Sequence, residues 1–359
     1  MLKDGSNTKE GYFYHNFPGI SNPAHRLGTE ERVKLILSKV DIVGKSVLDL
    51  GCSVGGVSYL LAKEGGVVEG VDYDEVAIDS GKKLIKYKVG EDKELNLWLK
   101  SVEITPSYLN NLPKYDFIVW LSQWQWFVKQ FGLKVGLEAL YTISKKCDVL
   151  VFESASNDGR AQIANTNQDI LCEWIIRNTA FSKVARFKQD NFGWHERDLF
   201  ICSEPVWEWR RHRNTILKRQ DRMTIEKICE GGRLDSEALR DVHFLDELED
   251  SLITPKVFHI RPDRYSMSYE GIPIVKLKDE DVNLILQELR SHKIVHRDIV
   301  PSNLLWNGKK AVLIDFAWAI KEGEKYDSPR GLGEKYRKPG SFDDEYSLRK
   351  IKEELDANT

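Results

Sequence analysis

The sequence has neither a long apolar run nor a cysteine pairing pattern. No window approaches about eighteen uninterrupted apolar residues, and the N-terminal stretch MLKDGSNTKEGYF has no apolar core of a signal peptide. The five cysteines are scattered singly, without a CxxC pair, which argues against a disulfide framework and against a zinc site. These absences predict a cytoplasmic chain without a transmembrane segment, and they leave open its attachment to the inner face of a membrane.

A strong charge of either sign is also missing. The net charge is −3 over 359 residues, of which 41% are hydrophobic and 30% are charged. This balance argues against binding of nucleic acid across the whole surface. The chain is long enough for two domains, each with its own core. The sequence leaves the oligomeric state open.

Strands and helices alternate through the first half of the chain. The predicted strands are 46–50 (SVLDL), 67–72 (VVEGVD), 94–99 (ELNLWL), 115–121 (YDFIVWL) and 148–154 (DVLVFES). Helical stretches separate them, which predicts an α/β Rossmann-like, doubly wound and mostly parallel sheet. Two further strands, 181–189 and 197–203, predict an antiparallel hairpin at one sheet edge.

The pattern changes near Pro205, where we predict a boundary between domains 1–204 and 205–359. Strand-like pieces then occur at 214–218, 223–228, 256–260 and 265–269, and helical patterns at about 235–249 and 278–291. Because these no longer alternate, the second domain is predicted to be of the α+β class.

The stretch DLGCSVGG begins where the first predicted strand ends. Gly51 and Gly55 allow a sharp turn and close approach of a ligand at a helix N-terminus, and Asp72 ends the second strand, where it can accept hydrogen bonds from ribose hydroxyls. The stretch resembles motif I of the class I S-adenosylmethionine-dependent methyltransferases, whose sheet has seven strands. The resemblance covers residues 44 to about 204.

This resemblance implies roles for six residues. Asp49 is the acid of the motif strand, Gly51 and Gly55 form the cofactor loop, and Gly51 faces the methionine moiety. Asp72 binds the ribose, Glu103 lies beside the adenine, and Leu121 begins the segment that lines the methyl-transfer site.

Two groups of residues in this half have alternative interpretations that the sequence leaves open. Trp124 and Trp126 are either a substrate platform or core packing. His195 and Arg197 either reach an anionic acceptor from the hairpin turn or belong to a solvated turn.

The second half carries HRDIVPSN (296–303) and, after a short apolar strand, IDF (314–316). An Asn and an Asp on neighbouring segments suit Mg²⁺ that is shared with nucleotide phosphates. These segments resemble the catalytic and metal-binding loops of protein-kinase-like folds. The resemblance implies that Asp298 is the base and that Asn303 and Asp315 are the metal ligands of Mg-ATP.

Upstream segments resemble the small lobe of kinases more loosely. Lys227 is the candidate for the lysine that pairs with phosphate, and its acidic partner is Asp241, with Glu237 as the alternative. The segment around Glu270 resembles the hinge whose backbone holds adenine. SFDDEYSLRKI (341–351) resembles the helix that anchors the catalytic loop.

Several positions depart from the kinase pattern. No glycine-rich loop precedes Lys227, Val300 stands where protein kinases usually have Lys, and Ala317 replaces the glycine of DFG. The large lobe is also short. These departures favour either a minimal kinase for glycans or small molecules or an inactive pseudokinase.

The order of the two domains resembles the bifunctional methyltransferase-kinases that terminate bacterial O-antigen chains. That family phosphorylates the terminal sugar of a glycan and then methylates the phosphate. The resemblance implies S-adenosylmethionine, ATP and Mg²⁺ as cofactors and a glycan end or another small hydroxyl compound as acceptor. The alternatives are a methyltransferase with a pseudokinase scaffold and an RNA methyltransferase that uses the basic, aromatic stretch WEWRRHR (207–213).

Overall fold

The structure is a computed structural model that describes residues 13–15, 17–18, 24–26, 28–90, 95–155, 163, 166–188, 197–206, 208–211, 214–218, 224–326 and 334–357. The chain divides into two compact units. The first consists of Met1–Cys172 and Lys183–Pro205, and the second consists of Glu173–Ser182 and Val206–Thr359.

The first unit contains short N-terminal strands and then alternating strands and helices. Its elements are β1 (Phe13–His15), β2 (Ala24–Arg26), α1 (Thr29–Leu37), β3 (Ser46–Leu50), α2 (Gly56–Lys63), β4 (Val67–Asp72), α3 (Glu75–Val89), β5 (Leu97–Ser101), α4 (Pro106–Asn110), β6 (Tyr115–Leu121), α5 (Trp124–Phe131), α6 (Leu133–Ser144), β7 (Cys147–Glu153), β8 (Phe181–Phe187) and β9 (Leu199–Pro205). The helix α7 (Gln168–Asn178) begins in this unit and ends in residues of the second, and the first two residues of β8 are likewise assigned to the second unit.

Seven strands form the sheet of the first unit, in the order β5-β4-β3-β6-β7-β9-β8. The strands β3 to β7 pair in parallel, and β9 pairs with β7 in the antiparallel sense. The prediction of a Rossmann-like, seven-stranded and mostly parallel methyltransferase sheet is therefore confirmed. Strands β4 and β5 lie on one side of β3, and β6 and β7 lie on its other side, so the strand order reverses between β3 and β6. The carboxyl ends of these two strands flank the crevice where such sheets bind ligands.

The central strands are apolar because both faces of the sheet are covered. Val47, Leu48 and Leu50 on β3 are buried, as are Ile118 and Val119 on β6. The strand predicted at 94–99 is shifted in the structure to Leu97–Ser101. Its bounds follow its partner, since Leu97 to Ser101 pair with Val68 to Asp72 of β4.

The second unit combines antiparallel strands with helices. Its elements are β10 (Glu208–Arg211), β11 (Asn214–Lys218), β12 (Thr224–Cys229), α8 (Ser236–Glu247), β13 (Val257–Arg261), β14 (Arg264–Ser268), β15 (Ile272–Pro273), α9 (Asp279–Ser291), β16 (Ile294–Val295), β17 (Leu304–Trp306), β18 (Ala311–Leu313), β19 (Ile320–Lys321) and α10 (Asp344–Ala357). Short 3-10 turns cover Pro301–Asn303 and Phe316–Trp318.

Five strands of this unit form an antiparallel sheet in the order β10-β11-β12-β14-β13. The predicted α+β class is confirmed. Buried apolar residues of α8, α9, the sheet and α10 form one core, which includes Phe244, Tyr265, Ile285, Phe316 and Leu348.

The basic, aromatic stretch that follows the first unit is partly a strand. Residues Glu208–Arg211 form β10 and pair with β11, whereas residues 207, 212 and 213 of that stretch lie outside the described residues. Among the helices that the structure describes, none has the length and apolar character needed to cross a bilayer.

Candidate active sites of the two units

The glycine loop after β3 packs closely against two other elements. Gly51 and Gly55 have φ angles of 79° and 74°, a left-handed conformation that glycine adopts without strain. A Cβ on Gly51 would lie 2.7 Å from Cγ of Gln123, and one on Gly55 would lie 2.8 Å from Cδ1 of Leu99. Gly55 also precedes α2, so the loop presents backbone N–H groups at a helix N-terminus. Glycine at these two positions therefore allows the loop to pack against Gln123 and Leu99 in a left-handed conformation.

Asp72, at the end of β4, is bonded to this loop. Its Oδ2 accepts from the backbone N–H of Ser53 at 2.8 Å, and its Oδ1 accepts from the N–H of Asp74 at 3.0 Å. Burial raises the pKa of Asp72, and these two hydrogen bonds act in the opposite direction. Each carboxylate oxygen has a second lone pair, so the group can still accept from ribose hydroxyls.

Asp49 is buried within the sheet and accepts a 2.6 Å hydrogen bond from Oγ of Ser58 on α2. Burial raises the pKa of Asp49 to about 7, while the Ser58 bond and the charge of Arg32 act to lower it. The hydrogen bond from Ser58 therefore connects β3 to α2, the helix that follows the glycine loop.

Glu103 and Leu121 lie at the carboxyl ends of their strands. Glu103 is exposed two residues beyond β5, and its Oε1 is 3.4 Å from Nε2 of Gln130. Leu121 is the buried last residue of β6. Their predicted roles at the adenine and at the transfer site stay predictions.

The two tryptophans of α5 differ in their surroundings. Trp124 is completely buried and its Nε1 donates to the backbone oxygen of Gly136 at 2.9 Å, so it packs in the core. Trp126 is partly buried, with Nζ of Lys129 located 5.0 Å from its ring centre.

A buried polar cluster lies at the carboxyl ends of β6 and β7. The hydroxyl of Ser122 donates to Glu153, and Nη1 of Arg197 donates to Oγ of Ser122 at 3.0 Å. Arg197 is only 8% exposed, so the interpretation of this residue as part of a solvated turn is wrong. His195 lies outside the described residues.

The candidate nucleotide site of the second unit is organised around Lys227. Its Nζ lies 3.0 Å from Oδ2 of Asp241 on α8 and 3.4 Å from Oδ1 of Asp315. Among the described residues, Asp241 rather than the alternative Glu237 contacts this lysine. Burial alone would lower the pKa of Lys227, but the neighbouring Asp241, Tyr265 and Asp315 outweigh it and raise this pKa well above its ordinary value. Lys227 is therefore positively charged.

Both oxygens of Asp241 are engaged. Oδ2 also accepts from the hydroxyl of Tyr265, and Oδ1 accepts from the backbone N–H of Phe316 at 2.7 Å. Tyr265 is opposite Lys227 in the pairing of β12 with β14, which explains why the two side chains meet the same carboxylate. Asp241 thus connects the lysine strand to the segment that carries Asp315.

Asp298, Asn303 and Asp315 come from adjacent loops. Nδ2 of Asn303 donates to the backbone oxygen of Asp298 at 2.8 Å and to its Oδ2 at 3.1 Å. Asn303 is completely buried, and Asp315 adopts a left-handed φ of 69° that non-glycine residues rarely adopt. The backbone N–H of Ile314 donates to the backbone oxygen of Asn303, which joins the two loops beside each other.

Asp344, the first residue of α10, supports the loop from the other side. Its carboxylate accepts from the backbone N–H groups of His296 and Arg297 at 2.7 and 3.1 Å. His296 in turn packs against Phe316, with ring centres 4.5 Å apart. The predicted anchoring helix therefore bonds directly to the HRD segment.

The hinge candidate Glu270 uses its side chain in local contacts. Its Oε1 accepts from Oγ of Ser268 at 2.5 Å, and its Oε2 is 3.3 Å from Nη2 of Arg177. The next residue, Gly271, has φ 112°, and a Cβ there would lie 2.0 Å from the backbone oxygen of Trp306. A contribution of this segment to adenine binding would come from backbone groups, and it stays a prediction.

The residues present fit the implied cofactors. Among the described residues, no three His, Cys, Asp or Glu side chains converge as a metal site. Asn303 and Asp315 would accordingly hold Mg²⁺ only together with nucleotide phosphates, which is how proteins commonly bind this ion. The glycine loop and Asp72 fit S-adenosylmethionine through backbone N–H groups at the N-terminus of α2 and a carboxylate held by the N–H of Ser53.

Sequence reasoning missed four residues of these sites. They are Arg32, Glu153, Tyr265 and Asp344. Asp344 lies within the segment SFDDEYS that the sequence already indicated, and an acid at the start of that helix was a usable signal. The other three have no local signal, because their partners are distant in the sequence.

Comparison with known proteins finds relatives of the first unit's class. No protein-family model matches the chain. The chain is 38% identical over 82 residues to a ubiquinone biosynthesis O-methyltransferase of Coxiella burnetii, covering 23% of this chain. The chain spans 32% of the length of that relative.

Similar solved structures include WbdD, described as a bifunctional kinase-methyltransferase, with 16% identity, a TM-score of 0.47 and coverage of 86% of this chain and 80% of that one. Magnesium protoporphyrin IX methyltransferase from Synechocystis PCC 6803 with bound SAM has 17% identity, a TM-score of 0.38 and coverage of 49% and 78%.

Proposed function

We propose that the chain is a bifunctional transferase. Its first unit transfers a methyl group from S-adenosylmethionine, and its second unit transfers a phosphoryl group from Mg-ATP to a hydroxyl acceptor. The acceptor class, a glycan end or another small hydroxyl compound, follows the sequence resemblance to glycan-terminating methyltransferase-kinases. The methyl group then goes to the phosphorylated product.

The methyl-transfer half is supported by the glycine loop and Asp72 together with the methyltransferase relative. The loop ends at the N-terminus of α2 and is bonded to Asp72 through the N–H of Ser53, which fits the cofactor. The 38% identity over 82 residues is to an O-methyltransferase. S-Adenosylmethionine, when bound, supplies a methyl group on a good leaving group, so the chain has mainly to bind and orient the acceptor.

The phosphoryl-transfer half rests on one observation, the convergence of Lys227 with Asp241 and Asp315, which lie 14 and 88 residues away in sequence. A lysine held between these groups can neutralise nucleotide phosphates, and it lies on the third strand of its sheet, as in protein kinases. Asp298, held by Asn303, would accept the proton of the acceptor hydroxyl.

Calorimetry on the intact chain tests the second site. We expect ATP to bind only with Mg²⁺ and to lose at least about tenfold in affinity in Asp315→Ala, because metal-bridged phosphate contacts are removed. Asp246→Ala, which removes an exposed acid of α8, is the matched control. Asp298→Ala should retain ATP binding and lose phosphoryl transfer to glycan acceptors.

The opposite result selects the alternative function. If the intact chain binds S-adenosylmethionine but no Mg-ATP, the second unit is a non-catalytic, kinase-like scaffold and the chain is a methyltransferase only. Asp72→Ala should abolish binding of S-adenosylmethionine, whereas Asp79→Ala on the exposed face of α3 should not. If both retain it, the assignment of the first site fails.

A further inference from the structure

A buried arginine in the first unit, Arg32, carries a positive charge and N–H donors that have no role in the proposed function as stated above. Arg32 on α1 is 0% exposed, and no nitrogen of its guanidinium has a hydrogen-bond partner among the described residues. Its Nε lies 3.5 Å from Oε2 of Glu153, which is also completely buried. An arginine stays protonated in proteins and carries five N–H donors, so this arrangement needs acceptor oxygens.

A second buried arginine lies on the other side of the same carboxylate. Nη1 of Arg197 is 3.9 Å from Oε1 of Glu153 and 3.0 Å from Oγ of Ser122. Two guanidinium groups therefore lie beside one carboxylate in a region that excludes water. Buried charges are stable only when they are paired and hydrogen-bonded.

The cluster is next to the cofactor loop. Ser122 and Glu153 lie at the carboxyl ends of the paired strands β6 and β7, and β6 pairs with β3, which leads into Gly51. Gly51 is packed against Gln123, the residue after Ser122. The charge of Arg32 also acts on Asp49 in β3. The cluster therefore lies at the carboxyl edge of the sheet, near the turning point of the strand order, where such sheets bind ligands.

We propose that Arg32 and Arg197 bind the phosphate of a phosphomonoester methyl acceptor. Arginine N–H groups match phosphate oxygens in pairs, and a phosphate would supply acceptors for the guanidinium donors of Arg32 that have no hydrogen-bond partner among the described residues. The inference rests on the proposed function, because it assigns the residues that hold the phosphate acceptor of the same methyl-transfer site.

Methyl transfer to a phosphate oxygen needs no protein base, because this oxygen is already anionic. An anionic phosphate oxygen attacks the methyl carbon, and the new O–C bond forms as the S–C bond breaks and its electron pair returns to sulfur. The phosphomonoester dianion becomes a methyl ester monoanion and S-adenosylhomocysteine leaves, with no proton transferred. The arginines would hold the phosphate in line and shield its charge from bulk water.

The test is calorimetric titration of inorganic phosphate into the complex with S-adenosylhomocysteine. We expect Arg32→Lys and Arg197→Lys, which keep the charge but lose paired donors, to weaken phosphate binding about tenfold or more. Arg186→Lys, a change in a partly exposed arginine of the same unit, is the control and should bind phosphate as the intact chain does.

A variant with the opposite expected effect separates ligand binding from a structural role. Glu153→Gln removes the negative charge that competes for both arginines, so phosphate should bind several-fold more tightly. Arginines that only stabilise the fold would give no gain in Glu153→Gln. Acetate and glucose serve as comparison probes, and acetate binding as tightly as phosphate would overturn the assignment to a phosphomonoester.

The result also distinguishes this inference from the proposed function. Loss of S-adenosylhomocysteine binding by the intact chain would contradict the proposed function itself. Normal cofactor binding with phosphate affinity unchanged in both lysine variants would contradict only the arginine site. Phosphate that binds elsewhere, for example near Lys227, would give this second result.

Discussion

The charge state of a buried side chain in either site depends on the balance between burial and neighbouring charges. Asp49 and Lys227 show the two possible results of this balance. Asp49 has no adjacent cation that outweighs its burial, so its pKa rises to about 7. Lys227 lies beside two carboxylates, so its pKa rises despite burial and the lysine remains charged. The same low-dielectric interior therefore favours a protonated acid in one unit and a charged base in the other.

The raised pKa of Asp49 predicts how stability depends on pH. The native state binds the proton more tightly than the unfolded state, so ionisation of Asp49 costs stability as pH rises from about 4 to about 7. At pH 8 the cost of this group is about 4 kcal/mol. At pH 5, Asp49→Asn should therefore unfold at the same denaturant concentration as the intact chain or at a lower one. Its stability relative to the intact chain should then increase as the pH rises to 8.

Denaturant unfolding of both proteins at pH 5, 6.5 and 8, followed by a probe in the first unit, measures this difference. Asp41→Asn, near the exposed end of α1, is the control and should show no such trend. A stability difference between Asp49→Asn and the intact chain that does not change with pH would contradict the prediction.

Tyr265 is the residue whose hydroxyl completes the bonding of Asp241. Tyr265→Phe keeps the ring in the core and removes the hydrogen bond to that carboxylate. Because hydrogen bonds to charged groups contribute about 1.5–3 kcal/mol, we expect a comparable loss of stability in the second unit and weaker Mg-ATP binding. Calorimetric titration with ATP and with S-adenosylmethionine measures both sites.

The control is Tyr346→Phe on α10, which removes a hydroxyl elsewhere in the same unit. Cofactor binding by the first unit should not change in either variant. If Tyr265→Phe binds Mg-ATP as tightly as the intact chain, Tyr265 does not position the Lys227–Asp241 pair.

At the scale of elements, each site is built where a loop is packed between neighbouring strands and helices. The glycine loop of the first unit lies against α3 as well as against Gln123, the residue before α5. A Cβ on Gly81 of α3 would lie 2.4 Å from the backbone oxygen of Val54, so this glycine allows the helix to approach the loop. In the second unit, α10 has the corresponding supporting role, since its Asp344 bonds to two backbone N–H groups of the HRD segment.

Gly81→Ala tests the helix contact of the first unit. In an isolated helix this change would stabilise by about 1 kcal/mol, because alanine is the better helix former. Here the added methyl meets backbone that cannot rotate away, so we expect a net loss of about 1–3 kcal/mol and weaker binding of S-adenosylmethionine.

Thermal unfolding and calorimetric titration measure the two effects. Ser80→Ala, the neighbouring change on the same helix, is the control and should leave both properties close to those of the intact chain. A stabilised Gly81→Ala variant with unchanged cofactor affinity would show that α3 can move away from the loop without cost.

At the scale of the whole molecule, the chain has two compact units, each with its own core and its own candidate site. A ligand stabilises the unit that binds it. At a ligand concentration of 100 times Kd this stabilisation is about 2.7 kcal/mol.

Hydrogen–deuterium exchange followed by mass spectrometry reports on each unit separately. S-Adenosylhomocysteine should slow exchange in peptides that cover residues 46–74, and Mg-ATP should slow it in peptides from 224 to 316. Asp72→Ala should remove only the first effect and Asp315→Ala only the second. Equal protection of both regions by a single ligand would contradict two separate sites.

The sequence by itself determined the fold classes of both units, and it named most of the candidate site residues as predictions. Alternating apolar strands and helices predict a parallel sheet, and the spacing of Gly51, Gly55 and Asp72 places them at neighbouring strand ends because parallel strands share their carboxyl edge. The HRDIVPSN and IDF segments likewise lie on adjacent loops because only a short hairpin of strands separates them. Local periodicity and short spacing are enough for such predictions.

Only the tertiary structure decided which distant side chains are hydrogen-bonded to each other. Ser122 and Arg197 are 75 residues apart in sequence, and Tyr265 and Asp241 are 24 apart, yet each pair is hydrogen-bonded in a buried site. Arg32, Glu153 and Tyr265 belong to no motif, and their importance follows from burial and from the donors and acceptors that surround them. The stability of a buried charge depends on its nearest partner, and only the folded chain determines which residue that partner is.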